Sequence, residues 1–260
     1  MSGPYIVPLD LGDTDLDKSL MYLRRYAGQR DYGKIVGAYI GGLEKKIVVD
    51  TGAPEMDRAL KYHSYAMTKP NKPDQNSVSQ LAKVGVKPEE IDIVILTHLH
   101  WDHVGEVTKF PNAQFIVSQV ELRFALDPIP ALYVAYEALQ IGMEPLFLKV
   151  MERIKTVEMQ EKEIMEGIKV IPLPGHTPGS IGVVVETEKG PYVICGDAVP
   201  QYGNLEGAPK EHLPYLMSGI YTDMQAMWKS FERVDEIVKG DYSKAIPGHD
   251  AKVFQQKRFP

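Results

Sequence analysis

The segment Thr97-His98-Leu99-His100-Trp101-Asp102-His103 decides how this chain is read. It packs three imidazoles and a carboxylate into six positions, directly after the apolar run 91–96. The pattern H-x-H-x-D-H would arise by chance in roughly three of ten thousand chains of this length and composition. Its spacing has a physical meaning. Residues two apart at the end of an extended segment point the same way, so His98 and His100 can hold one ion. Asp102 and His103, one turn further on, can reach a second. Imidazole and carboxylate suit Zn, Fe, Mn or Co, and without thiolate pairs to build a closed structural zinc site, an open catalytic centre is the expectation.

Working outward, five apolar runs stop at tight turns that carry a polar residue. Ile47-Val48-Val49 leads into Asp50-Thr51-Gly52, and Ile95-Leu96-Thr97 into His98. Pro172-Leu173-Pro174-Gly175 precedes His176, Ile194-Cys195-Gly196 precedes Asp197, and Ile246-Pro247-Gly248 precedes His249. Loops held by a rigid scaffold are where sites are built, so these five turns point to one convergent site. The β-branched runs 34–39, 46–49, 91–96, 114–117, 168–172, 181–185, 192–195 and 244–246 predict strands. Helical spacing predicts helices over 76–84, 119–126, 131–153 and 223–238, the last capped by Thr222 and closed by Gly240. Strands and helices mix without strict alternation, which indicates an α+β or layered α/β fold. No repeat, low-complexity tract or linker divides the chain, so residues 1–260 are expected to form a single domain.

Composition bounds the function. The 260 residues are 44% apolar and 25% charged, enough for one large core. Twenty-nine Lys and Arg against 35 Asp and Glu leave a net charge of −6, a poor field for a phosphate backbone, so no nucleic-acid partner is expected. The single cysteine forms no internal disulfide. With no signal-like N-terminus and no apolar stretch of membrane-spanning length, the expectation is a cytoplasmic protein that does not enter a membrane.

The histidine motif, with His176 in Pro-Gly-His-Thr-Pro-Gly-Ser, Asp197 in Gly-Asp-Ala and His249 in Pro-Gly-His-Asp, resembles the metallo-β-lactamase superfamily over nearly the whole chain. That resemblance implies a four-layer αββα sandwich with a metal site at one edge of two packed sheets. It implies that His98, His100 and His176 bind one divalent ion, that Asp102, His103 and His249 bind a second, and that Asp197 bridges both. Zinc comes first among the candidate metals, ahead of Fe, Mn and Co. Asp50 matches a position that supports the ligands from behind, although a helix cap is the alternative for it. A water bridging two such ions is deprotonated near neutral pH, which gives a hydroxide nucleophile, and Asp102 can pass the proton to the leaving group.

Within the superfamily, the chain looks most like the N-acyl homoserine lactonase branch, which implies lactone-ring hydrolysis, a small substrate with an apolar acyl part, and quorum quenching. The 72 residues between His103 and His176 leave no room for the extra domain of nucleic-acid-processing members. The 11 residues after His249 disfavour the thioester hydrolases, and His100 stands where flavodiiron proteins have Glu. Lactonases of this branch carry a Tyr three residues after the bridging Asp, a position held here by Pro200. Tyr202 is the expected replacement catalytic group, with Tyr215 and Tyr221 as alternatives. An apolar helical insertion at about 124–156 is read as core packing or a homodimer contact, or else as the wall of an acyl pocket; the stretch Leu20-Met21-Tyr22-Leu23 is a second wall or a strand. Cys195 is read as a small core residue that could instead face the site. His63 and His212 receive no role. Other readings are hydrolysis of another small ester, amide or phosphotriester, a mononuclear iron sulfur dioxygenase-like enzyme, and a non-catalytic binding module.

Overall fold

The computed structural model describes residues 3–260. Two sheets form its centre. The first has six strands in the order β1 (Tyr5–Asp13), β4 (Lys34–Gly41), β5 (Ile47–Val49), β6 (Ile93–Ile95), β7 (Gln114–Ser118) and β8 (Ile154–Val157). The second has five, in the order β13 (Ala245–Pro247), β12 (Gly190–Gly196), β11 (Ile181–Thr187), β10 (Ile168–Pro172) and β9 (Lys162–Met165). A two-stranded ribbon of β2 (Leu16–Asp17) and β3 (Arg30–Asp31) stands apart.

Alternation along the strands assigns each residue to a layer. In β4, Val36, Ala38 and Ile40 face the second sheet, whereas Ile35 and Tyr39 face outward. In β11, Ile181, Val183 and Val185 answer them across the sandwich, and Val184 turns to the other side. The outer face of the first sheet is covered by α1 (Met56–Tyr62), α2 (Ser77–Ala82) and the segment around Phe147 and Val150. The outer face of the second is covered by α6 (Met224–Val238), whose buried stripe Met227, Phe231, Val234 and Val238 keeps a helical repeat. The result is the expected four-layer αββα arrangement. Among the described residues, no helix is long and apolar enough to cross a membrane.

Three local expectations are corrected and one strand is added. The stretch 131–153 is not one helix but three 3₁₀ pieces, Pro130–Leu132, Leu139–Ile141 and Leu146–Arg153, so beyond α4 (Gln119–Leu126) the insertion at 124–156 is helical only in short 3₁₀ turns. Pro128, Pro130 and Pro145 and the left-handed Gly142 interrupt it. Strand β1 was not foreseen because Pro8 and Gly12 break its pattern. It tolerates both as an edge strand with a bulge between Asp10 and Gly12. The cap of α6 is Asp223, whose carboxylate accepts from the Ala226 N–H, while the Thr222 hydroxyl donates to the Gly175 carbonyl. Residues 20–23 form the end of a 3₁₀ turn and the bends after it rather than a strand, with Met21 buried.

Candidate metal centre

All five of the predicted turns meet at one edge of the sandwich. His98, His100 and their neighbours follow β6, His176 follows β10, Asp197 follows β12, and His249 follows β13. Short helix α3 (Trp101–Val104) then turns Asp102 and His103 toward the same point. Three ligand groups result, each with its atoms within 4.8 Å of one another: His98, His100 and His176; His98, His103 and Asp197; and Asp102, His103 and His249. Every one of these residues is buried.

Asp197 lies between the two triads. Its Oδ1 is 3.2 Å from His103 Nε2 and 3.1 Å from His249 Nε2, while its Oδ2 is 3.5 Å from His176 Nε2. His249 Nε2 lies 3.7 Å from Asp102 Oδ2. Gly248 is needed here, because a Cβ at that position would press into Asp197 Oδ1 and the Gly196 backbone.

Electrostatics differ between the triads. Burial holds His98 and His100 well below the ordinary imidazole value, reinforced by neighbouring imidazoles, and it also lowers His176. Burial opposes charge on His103 and His249 too, but the Asp197, Asp50 and Asp102 carboxylates around them outweigh it. His103 is raised well above its usual value and His249 up to about 9. Burial likewise pushes the Asp197 carboxyl up, yet the surrounding imidazoles hold it well below the usual range.

The donor set fits divalent metal ions. His98 Nε2, His103 Nε2 and Asp197 Oδ1 are buried with no hydrogen-bond partner, an arrangement that costs about 1–3 kcal/mol per group unless something else engages it. His176 Nε2 and His100 Nδ1 point at each other across 3.0 Å, close to the ~3.3 Å that separates two nitrogen ligands of one tetrahedral ion. The outward nitrogens are held in place. His103 Nδ1 donates to Asp50 Oδ2 at 2.8 Å, and His249 Nδ1 to the Lys34 carbonyl at 2.7 Å. Asp50 therefore anchors His103 and does not cap a helix: the residue before α1 is Glu55, and its side chain makes no cap.

The proposed proton donors fare differently. Tyr202 is not brought to the cluster. Its N–H is fixed by Asp250 Oδ2 at 3.0 Å, and its ring lies among the residues packed between the sheets and lines a separate cleft with Glu206, Tyr242 and Phe259. Tyr215 donates to Asp235 Oδ2 and packs on Trp228 and Phe231 in the outer layer. Only Tyr221 lines the cleft on the loop that carries His176. Cys195 faces the α6 layer, 1% exposed, its thiol pushed up to about 12 by burial, which makes it a core residue.

One support was missed in the sequence. His63 lies flat on Trp101, centroids 4.0 Å apart at 6°, and its Nε2 donates to Glu137, which also receives both ends of the Arg58 guanidinium. A lone His without a motif carries no signal for such a role. The insertion closes over the motif as well: the Trp101 N–H donates to the Ala135 carbonyl, and the Tyr136 ring meets His100 edge-on at 4.6 Å.

Residues 37–249 match the family model of the Metallo-beta-lactamase superfamily. The chain belongs to the metallo-β-lactamase superfamily. Over 217 residues, 80% of this superfamily member and 77% of the relative, it is 30% identical to an N-acyl homoserine lactonase of a Bacillus species. It is 28% identical to the N-acyl homoserine lactonase AiiA of Bacillus thuringiensis subsp. kurstaki, over 80% of this chain and 77% of that one. A solved N-acyl homoserine lactone hydrolase, with the product N-hexanoyl-L-homoserine at its catalytic metal centre, shares the metallo-β-lactamase fold at a TM-score of 0.75. It is 23% identical, and the match covers 98% of this chain and 96% of that one.

Proposed function

We propose that this protein is a metal-dependent hydrolase that opens the ring of N-acyl homoserine lactones, a quorum-quenching activity. The observation that carries the substrate class is a cleft of about 580 Å³ lined by Pro174, Gly175 and Pro178, which flank His176 in the chain. Phe124, Ile129, Ala131 and Leu132 wall one side of it, and Pro174, Pro178, Tyr221 and Ala226 the other. A mainly apolar cleft on the loop that carries His176, with Thr222 and Asp223 as its polar lining, suits an acyl chain joined to a ring that must be cut. The insertion carries more apolar surface than packing needs, since Leu126, Ile129, Val134, Leu139 and Ile141 are all exposed. That supports the acyl-wall reading, with contact between two copies of the chain as the other use for the same surface.

His98, His100 and His176 would hold one divalent ion, Asp102, His103 and His249 the second, and Asp197 both, with zinc the first metal to test. Bound there, the ions supply a water acidic enough to attack at neutral pH and polarise the ring carbonyl. The residues do the rest. Asp197 holds the two triads in register, His98 and His100 stay neutral and so keep lone pairs for a cation, and Asp102 takes up the proton lost by the attacking water and passes it to the leaving alkoxide. The triad Asp102, His103 and His249 favours this over a one-iron enzyme, which has no use for a second ligand set. A cytoplasmic location fits a chain whose single cysteine is buried and unpaired. The test is a pH-indicator screen of metal-loaded protein on lactones, esters, lactams and phosphotriesters. Acid release from acyl lactones is expected, and a hit confined to another class would replace the lactone reading.

A further inference from the structure

Glu121 is a fully buried carboxylate on α4 that none of the chemistry above uses. Its two oxygens receive four donors. Oε1 accepts from the Leu99 N–H at 3.0 Å and the Tyr136 hydroxyl at 2.8 Å, and Oε2 accepts from the Thr177 hydroxyl at 2.6 Å and the Gly179 N–H at 3.2 Å. Leu99 stands between His98 and His100, Thr177 directly follows His176, and the Tyr136 ring rests edge-on against His100. The backbone of Glu121 is fixed too: its N–H donates to Ser118 Oγ at 2.9 Å, and that hydroxyl donates to the Gly179 carbonyl at 2.7 Å. Gly179 packs so closely on Glu121 that a Cβ there would strike the Glu121 backbone.

We propose that Glu121 is a positioning residue of the metal centre, tying the loop of His98 and His100 to the loop of His176 and so setting how those three imidazoles converge. The inference rests on the metal-binding reading above. All four partners are donors, and a carboxylate offers about four acceptor sites, so the match is complete only with a carboxylate. An amide has one acceptor oxygen and presents N–H groups at its other end, where the Leu99 or the Gly179 N–H would face a donor. The Thr177 hydroxyl can turn to Ser180 Oγ, 2.6 Å away, but a backbone N–H cannot turn. Replacing Glu121 by Gln therefore releases one of the two loops while leaving every metal ligand in place.

The experiment titrates the full-length metal-free chain with Co(II) and Zn(II), following the cobalt absorption spectrum and chelator competition. Wild type should take up two ions. Glu121→Gln should bind one of them about 10- to 100-fold more weakly, as loss of an outer partner usually does, with an altered cobalt spectrum, and should hold the other as wild type does. Thr177→Val and Tyr136→Phe, which each remove one arm, should weaken the same ion to a smaller degree, and Thr177→Ser should restore wild-type binding. Should Glu121→Gln fail to fold, the Thr177 and Tyr136 variants decide the matter. Two ions in wild type with unchanged affinity in the variants that fold would overturn the role of Glu121 and leave the metal reading standing. A wild-type chain that takes up no ion would remove both.

Discussion

His103 and Asp50, 53 residues apart, are joined by a 2.8 Å hydrogen bond from the imidazole Nδ1 to the carboxylate Oδ2. Because a carboxylate oxygen only accepts, this bond keeps a proton on Nδ1, so the nitrogen that can give up its proton to a cation is Nε2, which faces the centre. Asp50 does this from a left-handed backbone (φ +58°), and its two oxygens also receive the Thr97 N–H and hydroxyl at 2.8 Å each. One side chain thus fixes both His103 and the start of the loop that carries His98 and His100.

Asp50→Asn keeps the volume but loses the acceptor that fixes the tautomer. Metal affinity should fall about 10- to 100-fold, as measured by chelator competition. Unchanged affinity would remove Asp50 from the support of His103.

Gly248→Ala places a methyl group against Asp197 Oδ1. The carboxylate must move, so uptake should drop from two ions to one or none, at a cost in stability of about 1–3 kcal/mol from overpacking. Elemental analysis after gel filtration reads the first effect and thermal unfolding the second.

Asp102→Asn should leave the fold intact and lower kcat on lactones by a factor of ~10². Steady-state kinetics of the metal-loaded variant, checked for equal metal content, would detect it. A wild-type rate takes Asp102 out of the proton path.

Ala226→Trp fills the cleft on the loop that carries His176. Loss of about three buried methylenes at ~0.8 kcal/mol each should reduce kcat/KM for long-chain lactones roughly 50-fold while short-chain lactones keep near-normal turnover. Equal losses on both would place the acyl chain elsewhere.

Glu137 gives a pH signature. Burial pushes its carboxyl up, but the His63 and Arg58 donors outweigh that and hold it below the usual 4.5. A depressed folded value means its stabilisation is fully present above pH 4.5 and is lost as pH falls through the folded value. Acid unfolding of wild type should therefore be steeper below pH 4.5 than that of Glu137→Gln, which starts about 3 kcal/mol less stable near neutrality. Parallel pH profiles in denaturant titrations would contradict this.

The convergence of the His and Asp cluster and most of the strands were legible because their signals are local: β-branched runs ending in Gly or Pro turns, and a dense histidine motif. What escaped depends on distant partners. Glu121 reads as an ordinary helix residue until the chain folds Thr177 and Leu99 against it. His63 has no motif, and its meaning comes from Trp101 and Glu137. The insertion misleads because Leu, Met and Phe at helical spacing suggest one long helix, while Pro128, Pro130 and Pro145 divide it into turns that wall a cleft. Tyr202 stands near Asp197 in sequence, but the N-terminal turn of α5 (Tyr202–Glu206) carries its ring into the space between the sheets.

The most direct test of the central claim is turnover of N-acyl homoserine lactones by the purified chain with its metal content measured in the same sample. The account predicts two divalent ions per chain and acid release that is abolished by a chelator and restored by zinc. Metal-loaded protein that leaves a panel of these lactones intact would contradict it.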